Sequence, residues 1–232
     1  MNIKNAFKSL SRVELILWLF SVAVITISFA LSTAADYLTL TASLIGVTAL
    51  IFVAKGHALG QLLTVVFAVF YGIISFYFRY YGEMITYLGM TSPIAVLAML
   101  SWLKHPYKKT AEVTVRQMTK KQVLIMLGLT VAITVAFYFV LKALGTANLF
   151  FSTISVATSF LAVYLTFMRS SFYAVGYMAN DFVLIILWAM ATAQDTRYLP
   201  MIVCFTMFLI NDLYGFINWQ AMKKRQAACQ VA

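Results

Sequence analysis

The chain has 232 residues, 63% of them hydrophobic and 10% charged, and a formal net charge of +10. A soluble domain is nearer roughly 45–50% apolar and about 25% charged, so a soluble globular fold is excluded and a polytopic membrane protein with little mass outside the bilayer is expected. The two cysteines, Cys204 and Cys229, are far apart and unpatterned, and imply neither a disulfide framework nor a metal site.

No cleavable signal peptide is expected, because the first apolar run is long and no small-residue cleavage site ends it. A spanning helix takes about 20 apolar residues. By that measure eight spans are expected, at roughly 11–32, 36–54, 58–78, 84–103, 122–144, 148–168, 172–193 and 198–221. The long connection, 104–121, carries Lys104, Lys108, Lys109, Arg116, Lys120 and Lys121. With eight spans, all the Lys and Arg residues except Arg79, Lys142 and Arg197 fall on the side of the two termini. Basic residues stay cytoplasmic, so both termini are expected inside, and the charge meets lipid headgroups rather than nucleic acid.

Spans two to four and six to eight share landmarks: Lys55 with Arg169, Arg79 with Arg197, Trp102 with Trp219, Lys104 with Lys223. Three spans per unit with one span between them puts both units in the same orientation, as in parallel-repeat transporters. The expected organisation is an all-α membrane protein in six parts. Residues 1–35 form the N-terminus and an accessory helix, 36–104 a first three-helix repeat, and 105–121 a basic loop. Residues 122–146 form a linker helix, 147–222 a second three-helix repeat, and 223–232 a cytoplasmic tail.

Glu14, Asp36, Glu83, Glu112 and Asp195 fall at span ends or in loops, whereas Asp181 and Asp212 fall near mid-span with no deep Lys or Arg to neutralise them. The dipeptides Asn180-Asp181 and Asn211-Asp212 interrupt the last two apolar runs at their middles. A carboxylate in hydrocarbon costs roughly 2.5–3.5 kcal/mol on insertion scales and normally faces a bundle interior or a wet cavity. A polar pocket at mid-membrane depth is therefore expected. Helical spacing puts Asn211, Tyr214 and Asn218 on one face of the last span, and Asn180 and Trp188 about two turns apart on the seventh. Gln61, Thr64, Tyr71 and Ser75 form a polar stripe on the third span, and Tyr87, Thr91 and Ser101 another on the fourth. Pro93 lacks an N–H and favours a kink there.

Each feature also has a plainer reading. Asn and Asp can be hydrogen-bonding glue between helices of a non-transporting scaffold or receptor. Trp18, Trp102 and Trp219 read as interfacial anchors, and His57 and His105 as solvated turn residues. No metal spacing, phosphate cradle or nucleophile–base pair stands out, so neither an enzyme nor a cofactor is expected. A phosphate would find no basic partner in the pocket. A cationic aromatic ring bearing hydroxyls suits it, by cation–π contact with Tyr or Trp and by hydrogen bonds to Asn, Gln and Asp. Nicotinamide riboside has those features, and so does thiamine.

The segments 42–76 and 80–95, and above all YAVGYMANDFVLIILW (173–188) and FLINDLYGFINW (208–219), resemble the PnuC family of bacterial vitamin transporters, across nearly the whole chain. The resemblance implies parallel three-helix repeats joined by a linker helix, similar to SWEET sugar transporters. It implies a multi-pass protein of the bacterial inner membrane and a homotrimer. It also implies facilitated diffusion of nicotinamide riboside, with a cytoplasmic riboside kinase trapping the substrate; relatives move thiamine or riboflavin. Members often carry Trp where this chain has Tyr173 and Gly176, and some carry Asn where it has Phe67 and Ile94. The substrate-binding residues implied jointly by resemblance and pattern are Asn180, Trp188, Asp181, Tyr173, Tyr177, Gln61, Tyr87, Thr91, Asn211 and Tyr214.

Overall fold

The computed structural model describes residues 3–32, 36–108 and 110–231. A short helix α1 (Ile3–Lys8) leads to α2 (Arg12–Ala30), whose start is fixed by a capping box between Ser11 and Glu14. Helix α3 (Tyr37–Ala54) is capped by Asp36 and ends in a tight turn at Gly56, whose φ of +69° suits a residue without a Cβ. Helix α4 (Ala58–Tyr77) is capped by His57, whose Nδ1 accepts from the Leu59 N–H at 3.0 Å. His57 is thus a buried cap and not a solvated turn residue. Burial, and secondarily Lys55, pushes its pKa below the usual value, which keeps the ring neutral and able to accept.

The fourth span is irregular. Helix α5 (Tyr81–Ile85) passes through a π-helical segment, Thr86–Thr91, into α6 (Ser92–Lys104). Pro93 offers no N–H, and the Ser92 N–H reaches back five residues to Tyr87 O, so the expected kink is a widened turn. Helices α7 (Lys120–Ala143), α8 (Leu149–Phe167) and α9 (Tyr173–Gln194) follow, then a 3₁₀ turn (Thr196–Tyr198) and α10 (Leu199–Val231). The helices run straight through both Asn-Asp dipeptides. The described residues hold eight helical segments long and apolar enough to cross a membrane.

Helix α10 has 33 residues, about 50 Å at 1.5 Å per residue, and outlasts a hydrocarbon core of about 30 Å. Its last turns dock on the 105–119 connection: Gln226 accepts from Val115 N (2.8 Å) and donates to Glu112 and Val113, and Arg225 pairs with Glu112. The segment from residue 223, expected as the cytoplasmic tail, continues α10 and lies against the basic loop.

Packing neighbours close a six-helix ring in the order α3, α4, α6, α8, α9, α10 and back to α3; α2 lies outside against α3 and α10, and α7 outside against α8. Helix α7 turns Leu124, Val131 and Phe139 outward, as a lipid-facing helix must. Inside a membrane, close packing and hydrogen bonds replace the hydrophobic effect between helices. Gly176 is one such approach, since a Cβ there would lie 2.6 Å from Ala162 Cα. Two indoles bridge the junctions of the ring. Trp219 Nε1 on α10 donates to Val53 O on α3 (3.0 Å), and Trp102 Nε1 on α6 donates to Thr166 O on α8 (3.2 Å), with the rings 5.4 Å apart. Both are fully buried, so they are interior links and not interfacial anchors.

Candidate functional site

The ring encloses a narrow chamber of about 40 Å³. Its wall comprises Gly46, Ala49, Leu50 and Val53 of α3, Thr64 and Phe67 of α4, Tyr87 and Thr91 of the π-helical segment, Tyr177, Asn180 and Asp181 of α9, and Phe208 and Asp212 of α10. Among the described residues no Lys or Arg lines it. Tyr87 and Thr91, four residues apart in the π-helical segment, both reach the wall.

The carboxyl groups of Asp181 and Asp212 lie against each other across the α9–α10 seam. Both residues are almost wholly buried, and Asp181 Oδ2 has no hydrogen-bond partner. Two ionised carboxylates abutting in a low-dielectric space repel, and a shared proton or a nearby cation relieves that. Asn180 is held from behind: its Oδ1 accepts from Ser159 Oγ (2.9 Å) and Thr158 Oγ1 (3.0 Å), and its Nδ2 lies 3.5 Å from Tyr87 OH. The aromatic wall is continuous. Tyr87 meets Tyr71 at 4.6 Å between ring centroids and Phe67 at 5.8 Å, and Phe67 meets Phe208 at 5.5 Å.

Of the residues expected from sequence, Tyr87, Thr91, Tyr177, Asn180 and Asp181 line this chamber. Trp188 sits beyond it, donating to Tyr71 OH at 3.0 Å and packed on Phe78 and Tyr80. From there the rings of Phe78 and Tyr198 continue to a cleft containing Asp36 and Arg197. At that end Asp195 caps the 3₁₀ turn, and the Arg197 guanidinium holds its carboxyl below the usual range. Tyr173 lies on the other side, its ring tilted on Trp219 and edge-on to Tyr177, its buried hydroxyl unpaired. Gln61 is buried one turn before Thr64 with both amide atoms unpaired, and does not line the chamber.

Asn211 and Tyr214 face elsewhere. Asn211 Nδ2 donates to Ser21 of α2 (2.9 Å) and to Met207 O, and Tyr214 donates to Glu14 (3.3 Å). Tyr214 and Asn218 line a separate cleft at the basic end, with Lys55, His57 and Arg225. The face shared by Asn211, Tyr214 and Asn218 thus turns away from the chamber, and the next residue, Asp212, turns in. One residue on a helix is a rotation of about 100°.

Sequence reasoning left Phe67, Phe208 and the polar backing of Asn180 out of the site; Asp212, read as a deep pocket acid, and Thr64, read on a polar stripe, were not carried into the expected contact residues. That backing had a signal: Ser152, Ser155 and Ser159 recur at helical spacing in the sixth span. Glu83 had a weaker one. Read as a span-end acid, it is fully buried, with Oε2 at 2.9 Å from Ser155 Oγ. Glu14 is buried too, paired with Lys55 at 3.0 Å.

An eight-span helical protein whose inner ring encloses a polar chamber in the membrane has the architecture of a small-solute transporter. The chain belongs to the nicotinamide mononucleotide transporter family, whose model matches residues 36–221. Relatives include the nicotinamide riboside transporter PnuC of Neisseria mucosa, 27% identical over 197 residues that span 83% of this chain and 75% of that one. The nicotinamide riboside transporter PnuC of Haemophilus influenzae is 22% identical over 212 residues, spanning 90% and 91% of the two chains. The crystal structure of the vitamin B3 transporter PnuC superposes with a TM-score of 0.82 at 26% identity, covering 94% of each chain.

Proposed function

We propose that this transporter carries nicotinamide riboside by facilitated diffusion, through alternating access to the chamber between α3, α4, α9 and α10. One observation carries the reading: two facing carboxyl groups stand beside aromatic rings and an oriented amide, in a wall without Lys or Arg. A pyridinium ring gains from both acid and ring faces, with a cation–π contribution of about 0.5–2 kcal/mol. Asn180, Thr64 and Thr91 suit ribose hydroxyls. A mononucleotide would bring a phosphate beside two carboxyl groups with no basic partner, which favours the riboside over the phosphorylated compound in the family's description. The substrate in the printed names of both relatives supports the same choice.

In this proposal Tyr87, Thr91, Tyr177, Asn180, Asp181 and Asp212 contact the substrate. Trp188, Tyr173 and Gln61 border its path, and Asn211 and Tyr214 secure α2. Residues 36–104 and 147–222 form two like-oriented units that rock about the chamber, with 122–146 linking them. The protein sits in the bacterial inner membrane with both termini cytoplasmic, as the distribution of basic residues supports. A cytoplasmic riboside kinase traps the imported vitamin, and three copies associate. The chain itself performs no catalysis.

The test is uptake of labelled nicotinamide riboside into proteoliposomes, with nicotinamide mononucleotide and thiamine as competitors. Saturable uptake that survives collapse of proton and sodium gradients, with competition by neither compound, is expected. Gradient dependence would overturn the facilitator assignment. Equal competition by the mononucleotide would overturn the phosphate argument, and preferential binding of thiamine would replace the substrate.

A further inference from the structure

Glu83 stands outside the chamber wall, yet it is among the most thoroughly buried polar groups in the protein, with 0% of its surface exposed. It lies in the first turns of α5, facing α8, and none of the ion pairs among the described residues includes it. Its Oε2 is 2.9 Å from Ser155 Oγ, and that same hydroxyl oxygen is 3.3 Å from Asn180 Oδ1. Glu83 Oε1 has no partner. The chain Glu83–Ser155–Asn180 therefore runs from a sealed carboxyl to the amide at the chamber wall.

Hydrogen counting gives this chain a direction. A serine hydroxyl has a single proton. If Ser155 spent it on an ionised Glu83, its lone pairs would face Asn180. They would then attract the Asn180 NH₂ group inward and turn Oδ1 toward Tyr87 and the chamber. If Glu83 instead carries a proton and donates it to Ser155 Oγ, Ser155 passes its own to Asn180 Oδ1. Oδ1 then stays inward, where Ser159 also donates (2.9 Å), and Nδ2 faces the chamber beside Tyr87 OH. Thr158 is not decisive, because its proton has Ile154 O and Ser155 O as alternatives at 3.1 Å. A sealed carboxylate with no cation and one unpaired oxygen is the costly alternative.

We propose that Glu83 is a positioning residue. As a neutral acid acting through Ser155, it locks the amide of Asn180 so that the chamber is offered an N–H donor rather than a carbonyl. Glu83 touches no substrate itself. Together with Ser159 it fixes the wall as a partner for acceptors, such as the carbonyl or hydroxyl oxygens of a ribosyl pyridinium. This rests on the proposed substrate only for the choice of ligand.

Two measurements test it on the full-length protein in detergent. The first needs no ligand: infrared difference spectra between wild type and Glu83→Gln. A protonated-carboxyl C=O band that shifts in Ser155→Ala is expected; carboxylate bands, or no response to Ser155→Ala, would overturn the proposal. The second is titration with nicotinamide riboside. Loss of the relay in Glu83→Met should weaken binding about tenfold, the effect of one hydrogen bond. Glu83→Gln, whose amide N–H replaces the acid O–H, should restore it to within about threefold. In an Asn180→Ala background Glu83→Met should cause no further loss. Additive losses, or Glu83→Gln as weak as Glu83→Met, would overturn the assignment. A wild type that shows the infrared band but binds no riboside would refute the substrate while leaving the relay standing.

Discussion

Trp102 and Trp219 allow a quantitative test of how the ring opens. Trp219 ties α10 to α3 and Trp102 ties α6 to α8, at the end that carries Lys55, Lys104, Arg169 and Lys223. Opening the chamber toward that end must break both links. Neither acceptor is left bare when this happens, since Val53 O also takes the Gly56 N–H (2.9 Å) and Thr166 O the Arg169 N–H (3.0 Å). Each lost bond is therefore in the ordinary range of about 0.5–1.5 kcal/mol, without the larger penalty of a buried orphan. Phe at both positions keeps ring contact but removes the donor, so Trp102→Phe with Trp219→Phe should weaken closure by about 2 kcal/mol, roughly a thirtyfold shift in population toward the open form. The assay is labelling of a cysteine placed at Thr64, in a background with Cys204 and Cys229 replaced by Ala, by an impermeant thiol reagent applied from the basic side. Labelling should accelerate in either single variant and more in the double. A double variant that melts normally in detergent yet labels at the parental rate would refute the idea that these indoles hold the end shut.

Replacing Asp181 or Asp212 by Asn should weaken a cationic ligand about tenfold by titration, while the apo protein melts no earlier, because a repelling pair has been relieved. Gly176→Leu should destabilise by about 1–3 kcal/mol through overpacking on the Ala162 backbone, read as an earlier thermal transition in detergent. His57 gives a pH signature. Its folded pKa lies below the unfolded value because the ring is buried beside Lys55, so between those two values the unfolded chain binds more protons. Stability should therefore fall as pH drops below about 6.5, and the His57→Asn variant, which keeps a side-chain cap, should lose that dependence.

The spans were legible because an apolar run of helical length has no other stable use, and the aspartates stood out for the converse reason. Orientation about each helix axis was not legible. Spacing says that Asn211, Tyr214 and Asn218 share a face, but which face looks inward is set by α2, through Ser21 and Glu14, elements distant in sequence. Glu83 shows the same gap along the axis: near the end of a hydrophobic run it reads as interfacial, and only the packing of α8 against α5 seals it. His57 was misjudged because polarity was taken for solvation; its ring nitrogen is consumed by a helix N-terminus.

The same distinction separates a transporter from a scaffold whose polar groups merely bind helices together. Glue is recognised by saturation: Trp188 finds Tyr71, Asn218 finds Ala54 O at 2.9 Å, and Trp219 finds Val53 O. Those groups hold the ring in shape. At the chamber wall Asp181 Oδ2 is unpaired, as are the Tyr173 hydroxyl and the whole Gln61 amide in the layers beside it. Buried polar atoms without partners cost about 1–3 kcal/mol each, so a chain selected only for assembly would shed them. Such atoms occur elsewhere too, at Ser75, Thr86, Thr134, Thr146 and Asn211, but Asp181 presents its own at a chamber wall, where a polar guest can pair with it. Scaffold and transporter then differ in one variant. Tyr173→Phe removes only an unpaired hydroxyl and should leave melting unchanged or raised. If Tyr173 borders the substrate path, the same change should also slow uptake; unaltered uptake would remove it from that path.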